Sequence, residues 1–324
     1  MTVEALDRTS VDPLPTSVRV DVIVCAYTLD RRAELVQCLD GLHEQQRMPD
    51  DVVCVVDHNP DLLAELGSMA ATGRWPGVRI IASDQTQGLS GARNTGVDRT
   101  AGDIVVFVDD DAVPEPDWLG ELIAPFESPA VLAAGGHIEP EWPEARPWWF
   151  PPHLDWTVGC SIPTLPTEVA PIRNMYGASA AFRRDVLDAV GGFPTELGRV
   201  GANGAGCEET EVCIRIGQRF PGGAIVHVPR SRVRHHVSAD RTRVRYVLRR
   251  CLAEGRSKAL LSRRVGGTDA TGDERRYAVT IASAVARDLA GSVRRPARLG
   301  CAAVLVAGLA AAALGFVIGS VART

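Results

Sequence analysis

Lysine is nearly absent from this sequence: Lys258 is the only one among 35 basic residues, and arginine supplies the rest. Arginine suits planar recognition of phosphate and carboxylate, but so uniform a bias reads first as codon preference. An excess of positive charge is missing too. The net charge of −5 gives no electrostatic footprint for nucleic acid, so no such partner is expected. The eight cysteines contain no CxxC pair and no zinc-type spacing. Several sit inside apolar runs, where a reduced thiol acts as a small hydrophobe. No GxGxxG follows the first strand-like segment, which argues against a nicotinamide-dependent dehydrogenase. The opening stretch MTVEALDRTSVDPLPTSVRV lacks an apolar core and is not expected to be a signal peptide.

What the 324 residues do contain is a strand–helix rhythm, with material for one large domain or two modest ones. VRVDVIVCAY (18–27), DVVCVVD (51–57), VRIIAS (78–83) and DIVVFVDDD (103–111) read as buried strands. Helical patterns alternate with them, and the first places Leu35, Cys38, Leu39 and Leu42 on one face. Continuous Val/Ile strands between helices predict a mainly parallel α/β sheet covered on both sides. Ligands of such sheets bind beyond the carboxyl ends of the strands. Tyr27–Arg31, Asp57, Asp84 and Asp109–Asp111 lie at those ends. Three adjacent carboxylates repel one another and resist burial. A divalent cation, a cluster of arginines or a solvated turn would each account for them.

The second half is less regular. VLAAGGHI reads as a strand, and GASAAFRRDVLDAVGGF as a strand running into a short helix. GCEETEVCIRIGQRF is a helix whose acidic first turn suits the helix dipole. An arginine-rich helix closes the pattern near Leu261. Trp142, Trp148, Trp149 and Trp156 crowd one proline-rich segment, either to stack on sugars or lipid headgroups or simply to pack the core.

VIVCAYTLDR, VVD, GLSGARNTGVDRTAGDIVVFVDDDAVPEPDWL, ASAAFRRDVLDAVGGF and GCEETEVCIRI occur in the order and spacing of family 2 glycosyltransferases. The resemblance covers roughly Val18 to Leu261, and the block from Gly88 to Leu119 is its most specific part. It implies a GT-A (Rossmann-like) fold and inverting transfer of a sugar from a nucleotide diphosphate, a UDP-sugar by family prevalence, to an acceptor hydroxyl. By the same resemblance the DxD motif maps onto Asp109–Asp111, with Asp109 toward the ribose, and Asp111 and Asp109 holding Mn²⁺ or Mg²⁺. His235 or His236 either completes that site or is an ordinary hydrogen-bonded histidine. Ala26, Tyr27, Asp57 and Asp110 fall on the donor side. So do Asp84 and Arg93, for which a surface salt bridge is the competing reading. His58 stands where the family carries a second aspartate after Asp57, which leaves base selectivity open. The ED motif maps onto Glu208-Glu209, making Glu209 the general base with Glu208 as alternate. Trp148, Trp149 and Trp156 fall on the acceptor side. TRVRY departs from the QxxRW element at Thr242 and Tyr246, so processive polymerisation is not implied.

Two rivals stand beside this reading. VFVDDDAV also fits the opening motif of haloacid-dehalogenase-like phosphatases, although that motif normally follows the first strand and needs a downstream lysine. A non-catalytic, membrane-bound sugar-nucleotide sensor is the other. The stretch Leu299–Ala322 carries no charge, and its length suffices to cross a hydrocarbon core of about 30 Å. The expected organisation is a tail (1–17), a glycosyltransferase domain (18–262), a linker with a basic juxtamembrane helix (263–298) and a transmembrane helix (299–322). A buried alanine-rich helix is the alternative for the last. Arg287, Arg294, Arg295 and Arg298 precede this helix and only Arg323 follows. The positive-inside bias then places the catalytic domain on the cytoplasmic side of an inner or plasma membrane, near a lipid-linked or glycan acceptor. Gly315 and Gly319 form a GxxxG that hints at helix pairing.

Overall fold

The computed structural model describes residues 14–15, 17–199, 206–293 and 295–321. Most of the expected tail (1–17), together with Arg294, Ala322 and Arg323, lies outside them.

The strand–helix rhythm is realised in the first third of the chain. β1 (Val20–Ala26), β2 (Asp51–Val56), β3 (Val78–Ala82) and β4 (Ile104–Asp109) are mutually parallel. They are linked by α1 (Arg32–His43), α2 (Pro60–Ala71) and α3 (Leu89–Asp98). α2 begins where the sequence signals it: the Asn59 side chain accepts the Leu62 N–H, and Pro60 takes the first helical position.

The chain then alternates direction through β5 (Ala112–Pro114), α4 (Trp118–Ile123), β6 (Val131–Glu141), β7 (Ala170–Pro171), β8 (Ser179–Arg183), α5 (Arg184–Ala189), α6 (Glu208–Arg219) and β9 (Ala224–His236). Among the described residues these strands form one mixed sheet, ordered β3-β2-β1-β4-β8-β6-β9-β5, with β7 on β9. Three long helices end the chain: α7 (Val244–Val265), α8 (Gly267–Gly291) and α9 (Arg298–Val321). The stretch expected as a linker is thus mostly helix.

Side chains alternate across β1, so Val20, Val22 and Val24 join one core and Ile23 the other. The first core lies under α1, α2, α4 and α7–α9; the second under α3, α5 and α6. All eight cysteines are free thiols. The buried Arg183 guanidinium donates to the carbonyls of Val131, Phe126 and Ser128, which a charge needs at such a depth. Strand order reverses at β1, flanked by β2 and β4. A crevice therefore opens beyond the carboxyl ends of β1 and β4.

Candidate active site

β4 delivers the aspartates to that crevice. Asp109 is its last residue, and Asp110 and Asp111 form the tight turn into β5. β5 pairs antiparallel with the end of β9, Ala112 opposite His235, and this pairing carries the imidazole to the cluster. His235 Nε2 lies 3.1 Å from Asp111 Oδ1. Arg31 Nη1 lies 3.0 Å from Asp110 Oδ1 and 3.1 Å from Asp111 Oδ2, and Arg241 Nη2 lies 3.3 Å from Asp111 Oδ2. Cations and an imidazole therefore answer the charge of three adjacent carboxylates, and the solvated-turn reading falls: Asp110 and Asp111 are each 3% exposed.

The environments of the two buried aspartates diverge. Burial opposes ionisation of Asp111, but His235, Arg31 and Arg241 together hold its carboxyl well below the ordinary carboxylate range. Burial, opposed by Arg31 and reinforced by Asp111 and Asp109, pushes Asp110 up to about 7. Ligand atoms of Asp109, Asp111 and His235 all lie within 4.8 Å of one another. His235 Nδ1 and Asp110 Oδ2 are buried without a hydrogen-bond partner among the described residues. Two carboxylates and an imidazole are a donor set that fits a divalent cation such as Mn²⁺ or Mg²⁺.

A second acidic group faces this one through Arg93. That arginine projects from α3 and is 2% exposed. Its Nη1 donates to Glu209 Oε1 at 2.9 Å and Glu208 Oε1 at 3.3 Å, and its Nη2 reaches Asp109 Oδ1 at 3.5 Å. The Phe107 and Phe193 rings flank the guanidinium at 5.8 and 5.3 Å. Arg93 is thus a buried bridge between the two carboxylate groups, not a surface salt bridge. Gly177 makes room for it: a side-chain carbon there would fall 2.0 Å from Glu209 Oε1 and 2.1 Å from Arg93 Nη2. Both glutamates open α6, but they differ in access. The Glu209 side chain is 16% exposed and that of Glu208 3%. Burial first, then the charge of Glu209, pushes Glu208 up to about 8.

Ala26, Tyr27, Asp57, Asp109 and Asp110 line one cleft together with Arg31, Leu89, Ala92 and Arg199. Asp57 is partly engaged: its Oδ2 accepts the Gly88 N–H at 2.9 Å, and its Oδ1 meets His58 Nδ1 at 2.8 Å. Gly88 adopts φ 127°, a region open to glycine, and from there the chain enters α3. Asp84 is not brought to this cleft; it bonds Arg99 and Thr95 on α3 and its flank. His236 turns to Glu34 instead of the aspartates. Trp149, like Trp142, packs against Phe150, and Trp156 donates to the Tyr277 hydroxyl, while Trp148 stays exposed. Asn94 does not cap local backbone: its side-chain amide exchanges hydrogen bonds with the Phe193 backbone, 99 positions along the chain. Glu211 and Arg215 form the i,i+4 pair that their spacing suggests.

Sequence reasoning missed Arg241. In the segment SADRTRVRY the family pattern singles out Thr242 and Tyr246, whereas the residue that reaches Asp111 lies one position before Thr242. Arg31 was legible only as one polar residue at a strand end.

The glycosyl transferase family 2 pattern matches residues 21–191. The chain is 32% identical over 244 residues to a glucosyl-dolichyl phosphate glucuronosyltransferase of Haloferax volcanii, spanning 75% of this chain and 77% of that one. It is 25% identical over 247 residues to the succinoglycan biosynthesis protein ExoM of Rhizobium meliloti, spanning 76% and 75%. The fold resembles that of the mannosyltransferase PcManGT from Pyrobaculum calidifontis, solved in complex with GDP-Man and Mn²⁺. The TM-score is 0.59 at 20% identity, over 93% of this chain and 88% of that one.

Proposed function

The chain belongs to the family 2 glycosyltransferases, and from that premise we propose that it transfers a sugar from a nucleotide diphosphate to an acceptor hydroxyl with inversion. One observation carries the proposal. A cation-binding set (Asp109, Asp111, His235) and a reachable carboxylate (Glu209) are joined by one buried arginine across a cleft at the strand-order reversal. The cation supplies charge neutralisation for the leaving diphosphate when bound. His235, Arg31 and Arg241 keep Asp111 ionised for that ligand role. Tyr27, Asp57 and Asp109 line the space for the nucleoside, and a UDP-sugar is the first donor to test. Glu209 takes the proton of the attacking hydroxyl, because it is the more accessible of the pair and Arg93 fixes its Oε1. Glu208, held largely protonated at neutral pH, carries a proton and leaves the ion pair to its neighbour.

The phosphatase reading finds no support in the family match, and Lys258 pairs with Glu254 on α7. The non-catalytic sensor reading loses its ground with membership of a transferase family and both carboxylate groups in place. The relationship to an enzyme named for a dolichyl phosphate substrate supports a lipid-linked acceptor. The apolar α9 supports a membrane-held enzyme, and the four arginines before it against one after support a catalytic domain on the cytoplasmic side. A screen of UDP-, GDP- and dTDP-sugars against membrane extracts tests the activity. Asp111→Asn should abolish metal-dependent nucleotide binding while leaving the fold intact. Nucleotide affinity that is indifferent both to chelator and to this substitution would overturn the assignment.

A further inference from the structure

As a sequence, α9 reads as a free membrane span; in the fold it is bound along one side to α7. A side-chain carbon added at Gly315 would fall 2.1 Å from the Leu252 carbonyl oxygen, and one at Gly319 would fall 2.8 Å from the Ala259 Cβ. At Gly255 of α7 the same addition would fall 2.0 Å from the Ala312 carbonyl. Backbones approach this closely only through small residues. The GxxxG pair is therefore spent inside the chain. Toward its N-terminal end the same helix buries Val304 and Leu305 in the main core, with Ala302 buried beside them.

α7 is also strongly basic, with six arginines and Lys258 against the single acidic residue Glu254. For α9 to stand upright in a bilayer, α7 would have to enter with it or the interface would have to open. Each arginine at the bilayer centre costs on the order of a hundredfold in the insertion equilibrium. Six of them make that orientation untenable.

The other side of α9 is uncovered. Val306, Leu314, Val317 and Val321 are each more than half exposed, and α8 beside it adds Val279, with Val293 exposed in the turn that follows α8. An apolar surface of this extent marks an interaction site. Trp148, 67% exposed, stands against Gly300 at the start of the helix, the position favoured by an aromatic at a membrane interface. Arginines bound both ends: Arg295 and Arg298 at the first, Arg256 and Arg263 beside Gly319 at the last. From Arg241 to Arg298 the sequence holds fifteen basic and five acidic residues, in a chain of net charge −5. A second copy of the chain would bring these arginines against arginines. An anionic surface complements them.

We propose that α9 lies in the plane of an anionic lipid bilayer, its uncovered apolar side sunk at the headgroup–acyl boundary and α7 above it, with no crossing of the membrane. This rests on the membrane-held reading above and replaces a span by a surface helix. The catalytic cleft is coupled to that surface. Arg241, three residues before α7, reaches Asp111, and Glu254 on α7 accepts a hydrogen bond from Cys207, next to Glu208. One helix thickness, about 10–12 Å, therefore separates the bilayer boundary from the supports of the active site. An acceptor whose reactive hydroxyl or phosphate sits at headgroup level is the one this geometry serves.

The full chain added to preformed vesicles tests the proposal. Vesicles containing one part phosphatidylglycerol to two parts phosphatidylcholine should bind it at least tenfold more tightly than pure phosphatidylcholine, with the difference shrinking as salt rises. The double substitution Arg249→Gln, Arg256→Gln should weaken that binding by about tenfold or more. Ser320→Cys should react with a membrane-impermeant maleimide added outside intact vesicles as fully as after permeabilisation. Reaction only after permeabilisation would show a crossing helix and overturn the proposal. So would equal affinity for neutral and anionic vesicles, or a lipid-free dimer that binds neither. UDP binding measured on the same samples reports the donor site separately, so its failure would fall on the proposed function and leave the orientation standing.

Discussion

Glu209 and Glu208 follow one another at the start of α6, yet their surroundings assign them different work. Arg93 pairs with Glu209 at 2.9 Å and leaves it partly exposed, whereas Glu208 Oε2 is buried without a partner among the described residues. Glu209→Gln should keep nucleotide binding and lose transfer by about 10²-fold or more, the usual scale for a general base. A dead Glu208→Gln beside an active Glu209→Gln would reverse the roles. Glu208 also predicts a pH dependence of stability. Its ordinary value is 4.5 and the fold pushes it up to about 8. Between those values the folded protein holds a proton that the unfolded chain releases. Stability should therefore fall as pH rises from about 4.5 to about 8 and level off above. Glu208→Gln carries no such proton. In urea unfolding at pH 5 and pH 8, the unsubstituted protein should lose about 3 kcal/mol more than the variant. Equal losses would rule out a protonated Glu208. At this scale the acidic residues were legible in the sequence because DxD and an acidic helix start are local patterns. Arg93, Arg241 and His235 were less so, since their partners are 16, 130 and 124 positions away and no periodicity records such a pairing.

The elements divide along the same line. β1 to β4 and their helices could be read because a buried parallel strand is a continuous apolar run and its helix repeats at 3.6. β5 could not: it is three residues long and exists through its partner on β9, more than a hundred positions on. The α7–α9 contact was equally hidden, since glycines inside a helix advertise a close approach without naming the helix that approaches. Two glycines test it by contrast. Gly217 on α6 has nothing within 4 Å of an added side-chain carbon, so Gly217→Ala should stabilise by up to about 1 kcal/mol through helix propensity. Gly255→Ala gains the same propensity but drives that carbon to 2.0 Å from the Ala312 carbonyl oxygen, where backbone must yield. Overpacking of this kind costs about 1–3 kcal/mol, so the net change should be destabilising. Denaturant midpoints of the two variants should move in opposite directions, and a stabilised Gly255→Ala would mean that α9 does not rest on α7.

For the whole molecule, the question is whether α9 is an appendage or part of the domain. An appendage used only as a tether could be cut away without loss to the fold, and a chain ending at Ala297 would then be a soluble, intact enzyme. The packing argues otherwise. α9 places Val304 and Leu305 in the core cluster that also holds β1, β4 and α7, and it covers Cys251, Leu252 and Ala259 along α7. Burying one such aliphatic side chain contributes about 1.5–3 kcal/mol. Several together approach the total stability of a domain, about 5–15 kcal/mol. α7 in turn stands behind Arg241 and Glu254, through which it touches both halves of the carboxylate site. Deletion from Arg298 onward should therefore lower the thermal midpoint by several degrees in the same detergent and weaken nucleotide binding, beyond releasing the protein from membranes. If the shortened chain unfolds at the same temperature as the full one and binds UDP equally well, α9 is a tether and the core drawn through it is wrong.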